Sequence, residues 1–167
     1  MPENKVDVKA DTIKDFMRDA PGKIGKPGTK LLGVTASNLN WAGTVTKGKI
    51  SKIKLTLTVT IKRAHFAGGK SRGKPDANNK KAMEDAEAAN AEHEHNHQRL
   101  AEDICKRMCP DAEKDLIGKS AKDANDAVKK IMDEIDKKNK ELDKKEGMTQ
   151  VTENSDGTFT VKQVGVP

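Results

Sequence analysis

His93-Glu94-His95-Asn96-His97 lies inside a stretch, from about Ala77 to Met108, that has no Gly or Pro and is rich in Ala, Glu, Lys and Asn. That composition predicts one long helix. Residues four apart on a helix stand one above the other, so His93 and His97 offer two imidazoles to a single point. The five residues satisfy H-E-x-x-H, the zinc-binding pattern of metallopeptidase helices. Glu94 sits about 100° around the helix from His93, beside such a metal, where its carboxylate can take a proton from a metal-bound water. With four His and 11 Glu in 167 residues, chance supplies this pattern only about 0.006 times.

Three of the four His fall in this one segment, so a solvated His/Glu tract on the surface is the competing reading. Helical phase separates the two. The least polar stripe runs Met83, Ala86, Asn90, His93, His97, Leu100, Ile104, Met108, in steps of three and four. Both motif histidines lie on the face expected to turn inward. His95 points elsewhere and is expected in solvent.

The rest of the chain sets limits. Hydrophobic residues make up 34% and charged residues 35%, and the aromatics are Trp41, Phe16, Phe66 and Phe159, with no Tyr. A core must therefore be built from Ile, Val, Leu, Met and Ala, within one domain of modest stability. No run is long and apolar enough to span a bilayer. The net charge is +6, but basic and acidic residues are interleaved and few aromatics are present to stack on bases. The basic excess of Lys47–Lys81 reads as solvated surface and loop rather than a nucleic-acid site. Cys105 and Cys109 are four apart before Pro110 and read first as small packing residues at a helix end, with a bridge at a frayed terminus as the alternative, and not as a metal or redox motif. Met1–Ala10 lacks the apolar core of a signal peptide. An exported protein, secreted or periplasmic, would then have lost its signal or use a route that needs none.

Around the central helix the pattern predicts a small α+β domain. Val6–Val8 is a short strand, and Thr12–Asp19 a helix stopped by Ala20-Pro21-Gly22. Leu31–Trp41 is extended, with a turn over Ala42–Gly48. Ile50–Ile61 alternates Ile53, Leu55, Leu57, Val59 and Ile61 with Lys54, Thr56, Thr58 and Thr60, the period of a half-buried strand. Ser120–Lys145 is a long helix with Ala124, Val128, Ile131, Ile135 and Leu142 inward, and a polar end at Asn139, Asp143 and Glu146. Thr149–Val164 reads as a hairpin closed at Asn154-Ser155-Asp156-Gly157. The expected plan is a few antiparallel strands on the H-E-x-x-H helix and the long C-terminal helix. Residues 1–147 then form the metallopeptidase domain, with 148–167 a hairpin packed on it.

In this order the chain resembles a bacterial family of small secreted zinc-dependent proteases, catalogued largely as a domain of unknown function. Val8-Lys9-Ala10-Asp11-Thr12-Ile13-Lys14-Asp15-Phe16 with Pro21 is similar to the family's first strand and Thr-led helix. Gly33-Val34-Thr35 through Leu39-Asn40-Trp41 is similar to its Gly-x-Thr strand, and the Ile50–Ile61 strand precedes the motif helix in the same way. The resemblance implies a zincin-like fold, a zinc cofactor and a peptide or protein substrate. The family's late Tyr-Asp pair and Thr-x-His-Gly element meet Glu141-Leu142-Asp143-Lys144-Lys145-Glu146-Gly147 here, which matches Asp143 but has neither the Tyr nor the His.

A catalytic zinc commonly has three protein ligands and a water, so His93 and His97 need a partner. Asp143 is favoured because it matches the family. Glu146 at the same helix end, His65 past the long strand and Glu102 on the motif helix are the alternatives. Glu102 is turned about 140° from His97 on a straight helix. His65 is also a candidate oxyanion donor or outer-sphere group, as are Arg63, a Lys and a backbone N–H. The leading expectation is a zinc metallopeptidase with Glu94 as general base. The alternatives are a non-catalytic interaction domain stapled by structural zinc and a basic binding module carrying the motif by accident. The pattern does not determine oligomeric state.

Overall fold

The strand that alternates in sequence alternates in burial: Ile50, Ile53, Leu55, Val59 and Ile61 are buried, while Lys54, Thr56, Thr58 and Thr60 are exposed. In the computed structural model, which describes residues 3–165, this strand is the middle of a three-stranded sheet. The sheet comprises β1 (Glu3–Val8), β2 (Gly33–Thr46) and β3 (Lys49–Phe66), in the order β1-β3-β2. Between them come α1 (Ile13–Ile24) and, after β3, the helices α2 (Ala77–Asp115) and α3 (Ala121–Glu146). A hairpin, β4 (Met148–Glu153) and β5 (Phe159–Val164), ends the described chain. The α+β architecture is the one the pattern predicts. One pairing is different in sense, since β1 lies parallel to β3, with Glu3 opposite Ile61 and Val8 opposite Phe66. No helix is long and apolar enough to cross a membrane among the described residues.

Several element ends move, each for a visible reason. Strand β2 continues past Trp41 to Thr46, and the turn is only Lys47-Gly48, with φ of 51° and 75°. Positive φ at both positions is what a type I′ hairpin turn requires. Gly43 lies within the strand, where a Cβ would overlap the Lys52 carbonyl, so close backbone approach rather than a turn explains it. Helix α1 runs through Pro21 and stops at Gly25, which takes φ 87° while Gly25 N–H donates to Gly22 O and Lys26 N–H to Pro21 O. That paired bonding is a Schellman cap, and it overrides the stop expected at Ala20-Pro21-Gly22. Helix α2 likewise passes Pro110 to Asp115. Its last turns are held by Ala112 and Leu116 packing into the core and by Glu113 Oε1 accepting from the Leu55 N–H at 2.7 Å.

Helix starts follow local chemistry. Thr12 caps α1 by accepting from the Asp15 N–H, and Ser120 and Asp123 exchange side-chain-to-backbone bonds at the start of α3. Cys105 and Cys109, favoured from sequence as packing residues with a bridge as the alternative, are joined in a disulfide with Cα atoms 5.1 Å apart. Residues four apart on a regular helix have Cα atoms about 6.2 Å apart, already within the range a disulfide spans. The direction of the two Cβ–Sγ bonds decides the pairing, and the spacing does not contain it.

The chain divides into two compact units. One comprises the segment up to Thr35, Thr60–Asn96 and the segment from Leu142 onward; the other comprises Ala36–Val59 and His97–Glu141. The first has a core of Val8, Ile13, Phe16, Leu32, Met83 and Ala86, with Val151, Phe159 and Val161 of the hairpin packed against it. Phe16 meets Phe66 edge-on, with ring centroids 6.3 Å apart. The second is built on Leu39, Leu55, Val59, Ile104, Ile131 and Ile135, with a smaller cluster of Ile50, Ile53, Leu116 and Ala124.

In the first unit Glu87 joins α2 to the end of β3. It accepts from Arg63 Nη1 (2.8 Å) and the Phe66 N–H (3.1 Å), and pairs with His65 Nδ1 (2.8 Å); Arg63 also pairs with Glu3. Burial pushes the Glu87 carboxyl up, but its bonds to His65, the Phe66 N–H and Arg63 outweigh this and hold its pKa below the ordinary 4.5. A depressed folded-state pKa contributes stability above the unfolded value, lost as pH falls through the folded one. Glu87→Gln should therefore melt below wild type at pH 7, by about 1–3 kcal/mol. The gap should close as pH drops from 5 towards 3. A gap that stays constant over that range would show that the carboxylate charge contributes nothing.

Candidate functional site

Helical phase does for the motif what it does for the hydrophobic stripe. Asn90, His93, Glu94 and His97 are all buried on α2, at 3–7% exposure, whereas Glu92 is exposed and His95 half-buried. A decorative His tract would not bury both its motif histidines and the intervening acid. Asp143 on α3 brings Oδ1 to 3.3 Å from His93 Nε2. Ligand atoms of His93, His97 and Asp143 all lie within 4.8 Å of one another.

The His93–Asp143 separation fits a metal, since ligands about 2.1 Å from a tetrahedral zinc stand about 3.4 Å from each other. The outer contacts have the matching chemistry. His97 Nδ1 lies 2.9 Å from Asn139 Oδ1; with the proton on Nδ1, that bond leaves Nε2 as the lone-pair donor, the arrangement that outer-sphere acceptors impose on metal-binding histidines. Asn139 stands one turn before Asp143 on α3, so one face of that helix supplies both groups.

The alternative third ligands are placed elsewhere. Glu146 Oε1 is 3.9 Å from His93 Nδ1, the nitrogen away from Asp143, and accepts from Asn96 Nδ2 at 2.9 Å. It therefore flanks the ring rather than joining the three converging atoms. Glu102 is exposed and accepts from Gln98 on the outer face of α2, as its phase requires. His65 is not brought to the cluster, either as ligand or as oxyanion donor. Strand β3 delivers it to Glu87, six residues before His93 and so about 9 Å back along the helix axis. Arg63 is held by the same carboxylate.

Two residues without an assigned role in the sequence reading shape the acid. Thr35 Oγ1 donates to Glu94 Oε2 at 2.6 Å and also lies 3.2 Å from the Glu94 carbonyl oxygen. Gly33, two residues earlier on β2, lets that strand approach the helix. A Cβ there would lie 2.5 Å from Glu94 Oε1, 2.6 Å from Asn90 Nδ2 and 2.7 Å from Glu94 Cγ. The signal available in the sequence was the Gly33-Val34-Thr35 pattern itself; what it touches is a tertiary fact. Gly33→Ala should cost about 1–3 kcal/mol through overpacking, and Glu94→Ala in the same chain should recover most of that loss in thermal melts. Equal melting of wild type and Gly33→Ala would show that the strand yields without effect.

The profile of a bacterial family described as a bacterial protein of unknown function (DUF922) matches residues 4–150. The chain belongs to this family. No curated protein and no solved structure matches it. The DUF922 match spans β1 through the first residues of β4, and so includes every residue of the cluster. A separate groove of about 470 Å³, lined by Ile13, Met17, Met148, Val151 and Phe159 among others, contains none of the motif residues. Volume alone marks that groove, whereas converging donors mark the cluster, and chemistry needs the donors.

Proposed function

We propose that this DUF922 protein is a zinc-dependent metallopeptidase. The observation that carries the reading is the convergence of buried His93 and His97 with half-exposed Asp143, beside a buried Glu94. His93, His97 and Asp143 would hold the ion, and Asn139 would orient His97 from outside. Zinc, when bound, lowers the pKa of its water towards neutrality and polarises the carbonyl under attack. The chain supplies the proton transfers. Glu94, aimed by the Thr35 hydroxyl, accepts a proton from the attacking water and delivers it to the leaving amine. The substrate is a peptide or protein.

A disulfide on α2 suits an oxidising compartment. Together with membership of a bacterial family, it favours an exported protein, secreted or periplasmic. The testing experiment compares zinc-loaded wild type with Glu94→Gln on a mixed peptide library, with products read by mass spectrometry.

A further inference from the structure

A buried amide donor is expected to find an acceptor, yet Asn90 Nδ2 has no hydrogen-bond partner although the residue is only 4% exposed. Asn90 stands one turn before Glu94 on α2, on the same face. Both side chains crowd the point where a Gly33 Cβ would be, Glu94 through Oε1 and Asn90 through Nδ2. Thr35 engages the other carboxylate oxygen, Oε2. The donor without a partner and the carboxylate oxygen are thus neighbours, packed against one glycine.

We propose that Asn90 is a positioning residue for Glu94: its amide donates to Oε1 after a small side-chain rotation, so that Thr35 and Asn90 grip the carboxylate from its two oxygens. A carboxylate oxygen accepts more than one bond, and a bond to a charged acceptor is stronger than one between neutral groups. Two grips fix the plane of the carboxylate as well as its place, which is what a proton acceptor needs to meet a reacting water repeatedly in one geometry. Gly33 is the residue that leaves the two side chains room to meet. The catalytic consequence rests on the peptidase reading; the contact itself does not.

The experiment therefore reads the contact in metal-free protein, without substrate, by denaturant unfolding at pH 8. Asn90→Asp sets two carboxylates against each other and should lower the folding equilibrium constant by about tenfold or more. Glu94→Gln added to Asn90→Asp exchanges donor and acceptor: the new amide donates, its oxygen still accepts from Thr35, and most of the loss should be recovered. If Asn90→Asp does not fold, the cycle of Asn90→Ala, Glu94→Ala and the double variant should show a coupling of about tenfold, the scale of one bond to a charged group. Strictly additive losses, in whichever cycle folds, would overturn the proposal. In zinc-loaded protein, Asn90→Ala should lower kcat with KM unchanged, whereas a mere packing role would move stability alone. A wild type that cleaves nothing would remove the peptidase reading and leave the coupling measurement intact.

Discussion

Glu94→Gln should retain zinc, melt close to wild type and lose at least about a hundredfold in peptide cleavage, the scale of a lost general base. The amide has nearly the carboxylate's shape, so the packing around it can persist. Its oxygen can accept from Thr35 Oγ1, or its amide can donate to that hydroxyl, since a hydroxyl works in both directions. The basic lone pair is gone. Products formed equally by both proteins would remove Glu94 from the mechanism. Cleavage by neither, with zinc still bound, would leave a domain in which the metal pins the chain without chemistry.

The second large effect concerns the ion. Wild type should bind one zinc per chain, and His93→Ala or His97→Ala should abolish it, while His95→Ala should not. Asp143→Ala should weaken binding far more than Glu102→Ala, because Asp143 reaches His93 at 3.3 Å and Glu102 is engaged by Gln98 on the outer face. Asn139→Ala, which removes only the orienting acceptor of His97, should cost about 10–100-fold in affinity. The same ranking should appear in stability. Zinc at a hundred times its Kd adds about 2.7 kcal/mol to a protein that binds only when folded, and the two His variants should gain none of it. Loss of zinc in all three His variants alike would mean a diffuse histidine tract. Damage from Glu102→Ala would mean that α2 presents a different face from the one described.

Each error in reading the boundaries involved a residue whose local meaning was overruled at a distance. Pro21 and Pro110 are breakers on propensity, but a buried ring and a Schellman cap carry α1 to Ile24, while Glu113 and Leu116 hold α2 to its end. Gly43 reads as a turn until the Lys52 carbonyl is placed against it. Cys105 and Cys109 read as packing residues because spacing fixes how far apart two residues sit, not where their side chains point.

Local periodicity by itself determined the α+β class, the buried strand face of Ile53–Ile61, and the single inward face of α2 that carries His93 and His97. Each follows from the pitch of one element, and pitch is set by the backbone within a few residues. Only the tertiary structure decided which third group faces the histidines. Helical phase already turns Glu102 away, but Asp143, which the resemblance favoured, Glu146 and His65 are separated by which element lies beside α2 and at what height along it. The same holds for Thr35 and Gly33 on β2, Asn139 on α3 and the unsatisfied amide of Asn90. These contacts join residues 40 to 60 positions apart or depend on such a contact for their surroundings, and no local period encodes a meeting between elements.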